Sequence, residues 1–367
     1  MLFCYRFMFK SFCTYFGRKK EKVMIKLEKA NLYNLNPVNF LLSLLIVFHH
    51  GFTRNVGFID SYNPLDYGVI TAIERYFYNF SECAVPIFFF LSAFLFYRTF
   101  DGSKEKYISK MKRRFWSLVV PYIIFNTIGY IKAMVFSGRN GGGIGDYLLS
   151  IWNADTMPLW FIRELVFFSI LAPVIYRIKR HLWLSVVVSV ALIILSTSGI
   201  VGYRSFVYWM PVYLMGASLT ENRISRVCDI FERASSRYLM LLLFVIYCLA
   251  AWFLPNGSEK GNAIYSFEFT SFRLASPLAF SYVIISIMNL NLKVKKWMQY
   301  SFFVYCMHAP IITLVTLVYS KMIPAFYGSE LFQFFVVIFL TYVLCVILAM
   351  FLERYLPPVW KILNGKR

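Results

Sequence analysis

Two histidines close the first apolar stretch of the chain, in the run Asn39, Phe40, Leu41, Leu42, Ser43, Leu44, Leu45, Ile46, Val47, Phe48, His49, His50. A neutral imidazole takes a proton from a hydroxyl near physiological pH, so a histidine here is a candidate general base. On a helix Asn39, Ser43 and His50 share one polar stripe, while His49 is turned about 100° away from His50. That makes His50 the base candidate. The competing reading is a packed histidine bonded to a neighbour.

The other ionisable groups inside apolar stretches are Glu82, Lys132, Arg163, Glu164, Arg273 and His308. Each costs a few kcal/mol in lipid, so such groups mark function or pairing. Lys132 sits near a stretch end and can snorkel to water. Trp160, Arg163 and Glu164 stand at i, i+3 and i+4, an aromatic face beside a charge pair. Pairing of Arg163 or Glu164 with Glu82 or Arg273 competes with direct substrate contact. Tyr305 and His308, at i and i+3, share a helix face.

The elements that position these residues follow from composition. Hydrophobic residues make up 59% of the 367 and charged residues 15%, more apolar surface than a soluble domain of this length needs. Apolar stretches of spanning length lie at 37–53, 77–97, 115–136, 158–176, 183–199, 204–220, 238–255, 272–291, 299–320 and 331–352. Lipid offers no partner to an open strand, so the expected fold is all-α, a polytopic bundle of about ten transmembrane helices.

Of the 38 basic residues, 29 fall in loops and termini on one side of such a bundle, six on the other and three within spans. This positive-inside bias places both termini in the cytoplasm. The net charge of +20 thereby reports orientation and anionic lipid, and nucleic acid is excluded as a partner. In this topology Glu82, Arg163, Glu164 and Arg273 lie near the outer level of His50, and His308 lies deeper. Together they line a water-accessible cavity. The seven cysteines never fall in CxxC spacing, which indicates neither a disulfide framework nor a metal site.

One domain is expected. A basic, interfacial N-terminal segment, 1–36, precedes the transmembrane domain, 37–353, and a short cytoplasmic tail, 354–367, follows it. The first 23 residues lack the apolar core and cleavage site of a signal peptide, and Met24 is an alternative start. The longest outer loops, 54–76 with Asp60 and Asn63 and 137–157 with Gly141, Gly142 and Gly143, are polar enough to admit a polar substrate. No internal repeat supports the inverted symmetry common in secondary transporters.

Five segments in order carry a resemblance. They are the span-1 stripe ending in His50; Ala84-Val85-Pro86-Ile87-Phe88-Phe89-Phe90-Leu91-Ser92-Ala93-Phe94-Leu95; Lys112-Arg113-Arg114 leading to Pro121-Tyr122; Leu159-Trp160-Phe161-Ile162-Arg163-Glu164; and Ser301-Phe302-Phe303-Val304-Tyr305-Cys306-Met307-His308. The chain resembles membrane-bound acyltransferase family 3, bacterial O-acyltransferases of sugars and cell-surface glycans. Two positions depart from the family pattern: Asn39 stands where the family has an arginine, and Ser92-Ala93 replaces Ser-Gly. A register shifted by one residue makes His49 the family histidine, with Val38 at the arginine position, and loses the polar stripe.

The resemblance implies transfer of an acyl group, acetyl foremost, from cytoplasmic acyl-CoA as co-substrate to a hydroxyl of an extracytoplasmic or lipid-linked glycan, with no bound cofactor, in a bacterial cytoplasmic membrane. In that reading His50 is the base, and Glu82, Arg163 and Glu164 orient it or hold the acceptor. Asn39, Ser43, Trp160, Arg273, Tyr305 and His308 line the substrate path. Lys112, Arg113 and Arg114 meet the CoA phosphates, although positive-inside charge alone also accounts for them. The runner-up is a transporter or flippase for a glycan or lipid-linked sugar, which needs a polar cavity but no base. A structural membrane subunit explains none of the buried charges.

Overall fold

A computed structural model describes residues 23–51, 64–136, 143–155, 157–219, 234–254, 263–289, 294–324 and 329–366. The first 22 residues, Asp60, Asn63, Gly141 and Gly142, which carry the interfacial-segment and substrate-loop expectations, lie outside the described residues. Among the described residues there is no strand. The first helices are α1 (Val23–His50), α2 (Pro64–Ser81), α3 (Ala84–Arg98) and α4 (Lys104–Arg114). A π-helical turn, Phe115–Val119, joins α4 to α5 (Val120–Phe136), and α6 (Gly143–Asn153) follows. The middle of the chain forms α7 (Trp160–Ile170), α8 (Ala172–Arg180), α9 (Leu182–Thr197) and α10 (Phe206–Ala217). Then come α11 (Ala234–Phe253), α12 (Ala263–Ala279), α13 (Ser281–Asn289), α14 (Ser301–Met322), α15 (Ser329–Tyr355) and α16 (Pro357–Leu363).

Among the described residues six helical runs are long and apolar enough to cross a membrane, and a seventh is formed if α8 and α9, bent by 117° around His181, make one span. The chain is thus a multi-pass membrane protein, and among the described residues the expected spans at 158–176, 183–199 and 204–220 are shorter or broken. The stretch 158–176 divides at Leu171, where Pro173 starts α8. The stretch 204–220 holds only the 12 residues of α10, eight of them buried. A helix wrapped by neighbours rather than lipid has no need of full spanning length.

α1 is one helix of 28 residues that continues through Pro37. Beyond residue 353, α16 folds back on the bundle, with Trp360 buried against Tyr300 and Phe303.

Local chemistry sets the helix starts. Ser103 caps α4 by accepting from the Lys106 N–H. Asp101 accepts from the Ser103 backbone N–H at 3.0 Å and from its hydroxyl at 2.7 Å, and these bonds hold its carboxyl down at about 2. Ser205 caps α10 in the same way, accepting from Val207.

The core is aromatic. Phe89 of α3 stacks on Trp209 of α10 with centroids 5.4 Å apart, and Phe168 of α7 stacks on Tyr213 at 3.9 Å. α3 and α10 come so close that a Cβ on Gly216 would run into the Phe90 carbonyl oxygen. Backbone cannot yield as a flexible side-chain end does. Gly216→Val is therefore expected to destabilise the protein by about 1–3 kcal/mol, read as a lower melting temperature in detergent. An unchanged melting temperature would show that the two helices are free to separate.

Candidate active site

Two cavities open into the bundle at different heights on α1. Asn39 lines one, and His49 and His50 line the other. Asn39 and His50 stand roughly 16 Å apart along the helix axis at 1.5 Å per residue. The polar stripe of α1 is therefore divided. Ser43 lines neither cavity, since its hydroxyl bonds the Phe40 carbonyl at 2.8 Å and the Tyr342 hydroxyl at 3.1 Å.

The first cavity, about 600 Å³, is basic. Lys112, Arg113 and Arg114 at the end of α4 and Lys366 beyond α16 line it, with no carboxylate among its lining residues. Arg114 reaches the Ser92 hydroxyl at 3.4 Å and stands over the Phe96 ring. Leu91, Leu95, Leu118 and Leu165 make the rest of the wall largely apolar.

The second cavity, about 180 Å³, holds His49, His50, Glu82, Trp160 and Arg273. Both histidines face it, because a cavity at the end of a helix spans more than one side-chain direction. Phe161 of α7 and Tyr305 of α14 line both cavities and form the wall between them. Their rings meet edge to face at 5.8 Å, and the Tyr305 hydroxyl donates to the Pro158 carbonyl at 2.8 Å.

From that wall a ladder of rings runs into the second cavity. Tyr305 and His308 are 6.1 Å apart, His308 and His50 5.0 Å, His50 and His49 5.2 Å, and His49 and Tyr78 4.2 Å. His308 thus stands beside His50, a contact that counting residues along the spans does not show. Its Nδ1 lies 2.7 Å from the Tyr305 carbonyl, which can only accept, so Nδ1 carries the proton. Nε2 is then a bare lone pair, fully buried and with no hydrogen-bond partner. His49 is held by its Nδ1, 3.2 Å from the Ser81 hydroxyl and 3.4 Å from the Tyr78 carbonyl. Ser81 gives its own proton to Tyr78, so His49 donates from Nδ1.

The charges in the apolar stretches are paired, and the pairs separate the expected site residues. Arg273 grips Glu82 through two parallel bonds of 2.8 Å, from Nε to Oε2 and from Nη2 to Oε1, inside the second cavity. Tyr208 lies 3.4 Å from its Nη1, and the rings of Tyr203 and Phe269 flank the guanidinium. Arg163 instead pairs with its neighbour Glu164, with Nε 2.8 Å from Oε1. It also ties down the Trp152 and Arg204 carbonyls, and neither Arg163 nor Glu164 lines either of these two cavities. Lys132 lies apart, bonded to Thr313.

A family model described as an acyltransferase domain matches residues 33–350. The chain belongs to acyltransferase family 3. No curated protein and no solved structure matches it. With its apolar helices, this family 3 chain is a membrane acyltransferase. Sequence reasoning passed over several cavity residues of this acyltransferase, among them Tyr78, Ser81, Tyr203 and Arg204. Ser81 directly precedes Glu82, and Tyr203-Arg204 is a polar pair between two apolar stretches, but only three-dimensional packing brings either to the histidines.

Removing one member of the Glu82–Arg273 pair of this family 3 enzyme leaves a charge 12% exposed without its partner. Glu82→Ala is expected to destabilise by about 3–5 kcal/mol, read by thermal unfolding in detergent. The double variant Glu82→Ala, Arg273→Ala is expected to recover part of that loss. Additive losses in a full double-mutant cycle would show that the pair is not coupled.

Proposed function

We propose that the chain moves an acyl group, acetyl foremost, from acyl-CoA in the basic cavity to a hydroxyl of a glycan or lipid-linked sugar in the histidine cavity. The basic cavity faces the cytoplasm of a bacterial cell and the histidine cavity faces outward, in keeping with the distribution of the 38 basic residues. The observation that carries this reading is that Phe161 and Tyr305 line both cavities, so that donor and acceptor are separated by one layer of side chains. The cations suit the phosphates of CoA, and the leucines suit its arm and acyl group.

His50 is the base in this scheme. It takes the proton of the acceptor hydroxyl as the oxygen attacks the thioester carbonyl. A C–O bond forms, the C–S bond breaks, and the proton passes from the imidazolium to the departing CoA thiolate. The Nε2 lone pair of His308, next along the ladder, stabilises the imidazolium while it lasts. The Glu82–Arg273 pair holds the cavity wall in shape, and Trp160 offers the acceptor an apolar face. Arg163 and Glu164 position the loops at Trp152 and Arg204 and do not touch substrate. Tyr305 leaves its bond to Pro158 for the acyl carbon to pass.

His50→Ala is expected to lower acyl transfer about 10²- to 10⁴-fold while the protein still inserts and accumulates, and His49→Ala to act more mildly. Transfer from radiolabelled acetyl-CoA in reconstituted vesicles measures both. Full activity in His50→Ala, or a larger loss in His49→Ala, would move the base to another residue. In sealed vesicles of known orientation, acetyl-CoA is expected to work only from the cytoplasmic face, with the ester appearing on the opposite one. Equal use of donor from both faces would reject the transmembrane arrangement.

A further inference from the structure

The family match ends at residue 350, yet the chain beyond it helps to build the basic cavity. α16 ends in a hook. The Lys366 N–H bonds the Lys361 carbonyl at 2.7 Å and the Gly365 N–H bonds the Ile362 carbonyl at 3.1 Å, the paired closure by which a left-handed residue terminates a helix. Gly365 takes that conformation at φ +68°, and Lys366 follows at φ +54°, where a residue with a side chain is rarely found. A Cβ on Gly365 would come within 2.8 Å of the Ser117 Cα and carbonyl oxygen, so hook and π-helical turn meet backbone to backbone. That contact sets the Lys366 ammonium over the Trp116 ring, 3.1 Å from its centroid, at the rim of the cavity.

We propose that this hook is part of the donor site and that Lys366 binds a phosphate of acyl-CoA together with Lys112, Arg113 and Arg114. Three features carry the assignment. All four cations line one cavity, whose lining residues include no acid to neutralise them. Trp116 fixes the position of the lysine, so little freedom is lost when an anion arrives. The strained backbone at Lys366 is held by the docked Gly365, and strain of this kind collects where a side chain must be aimed. The same cations could meet the phosphate of an anionic lipid, whose acyl chains would have to occupy the apolar half of the cavity.

The inference rests on the proposed donor, and its test keeps the two apart. The full chain, in nanodiscs of zwitterionic lipid, is titrated with CoA and with pantetheine, which lacks the nucleotide and its phosphates. Acyl transfer is measured in parallel with acetyl-CoA and acetyl-pantetheine. Lys366→Ala and Gly365→Val are expected to weaken CoA binding and to raise KM for acetyl-CoA about five- to tenfold, an effect on KM rather than kcat. Affinity for pantetheine is expected to stay as in the unmodified chain. Lys361→Ala, which removes the same charge from the exposed side of α16, is expected to match the unmodified chain throughout.

Equal affinity for CoA in Lys366→Ala and the unmodified chain would overturn the hook assignment while leaving acyl transfer standing. An effect in Lys366→Ala that appears only when anionic lipid is added would overturn it in favour of a lipid phosphate. Weaker CoA binding in Lys366→Ala, alongside a chain that transfers nothing from acetyl-CoA, would uphold the hook and overturn the proposed reaction. A chain that binds no CoA would overturn both.

Discussion

Paired charge is the condition on which the interior of this bundle rests. A carboxylate and a guanidinium taken out of water are tolerable only when each finds the other with good geometry, and the two parallel bonds between Glu82 and Arg273 meet that condition. The pair joins the turn between α2 and α3 to α12, far apart in sequence. Through Tyr208, Tyr203 and Phe269 it also sets the aromatic residues that surround the guanidinium. Without it the histidine cavity would lose one wall and acquire an unanswered charge. Arg163 and Glu164 answer the same demand elsewhere, at the loops that frame α7.

The division of labour within α1 follows from its length. One helix carries Asn39 into the basic cavity and the two histidines into the other, and its middle is committed to packing, with Ser43 bonded to Tyr342 and Val47 fully buried. Family membership makes this an acyltransferase. In the proposed reaction the two cavities and their common wall give the transfer a place where a nucleophile and an acyl carbon meet.

Helices, lipid-facing composition and the identity of the buried charges were legible in the sequence, because apolar surface of that amount has no other use. Partner choice was not. With two acids and two arginines near one level, spacing allows several pairings, and only the rotation of α7 and α12 decides between them. That His308 meets His50 was not legible, because counting from a span end assumes straight, upright helices. α14 instead begins at a 3₁₀ turn over Lys296–Tyr300 and contains Pro310. His49 looked turned away because a helical wheel has no knowledge of how wide a cavity is. The tail read only as a short cytoplasmic segment, although Asn364-Gly365 already carried the signature of a helix end.

The wall formed by Phe161 and Tyr305 also has an electrical consequence. Where water fills a cavity from each face of the membrane, little potential is lost along either one, and the remaining drop is concentrated across the thin layer between them. Each elementary charge crossing the full potential gains or loses roughly 2.3 kcal/mol per 100 mV. If acyl transfer runs through this wall as proposed, a tyrosine pinned to a backbone carbonyl beside a packed phenylalanine is its insulation as well as its door. An acyl group, being neutral, crosses that layer without noticing the field, whereas a proton passing between His50 and a thiolate on the far side would do electrical work.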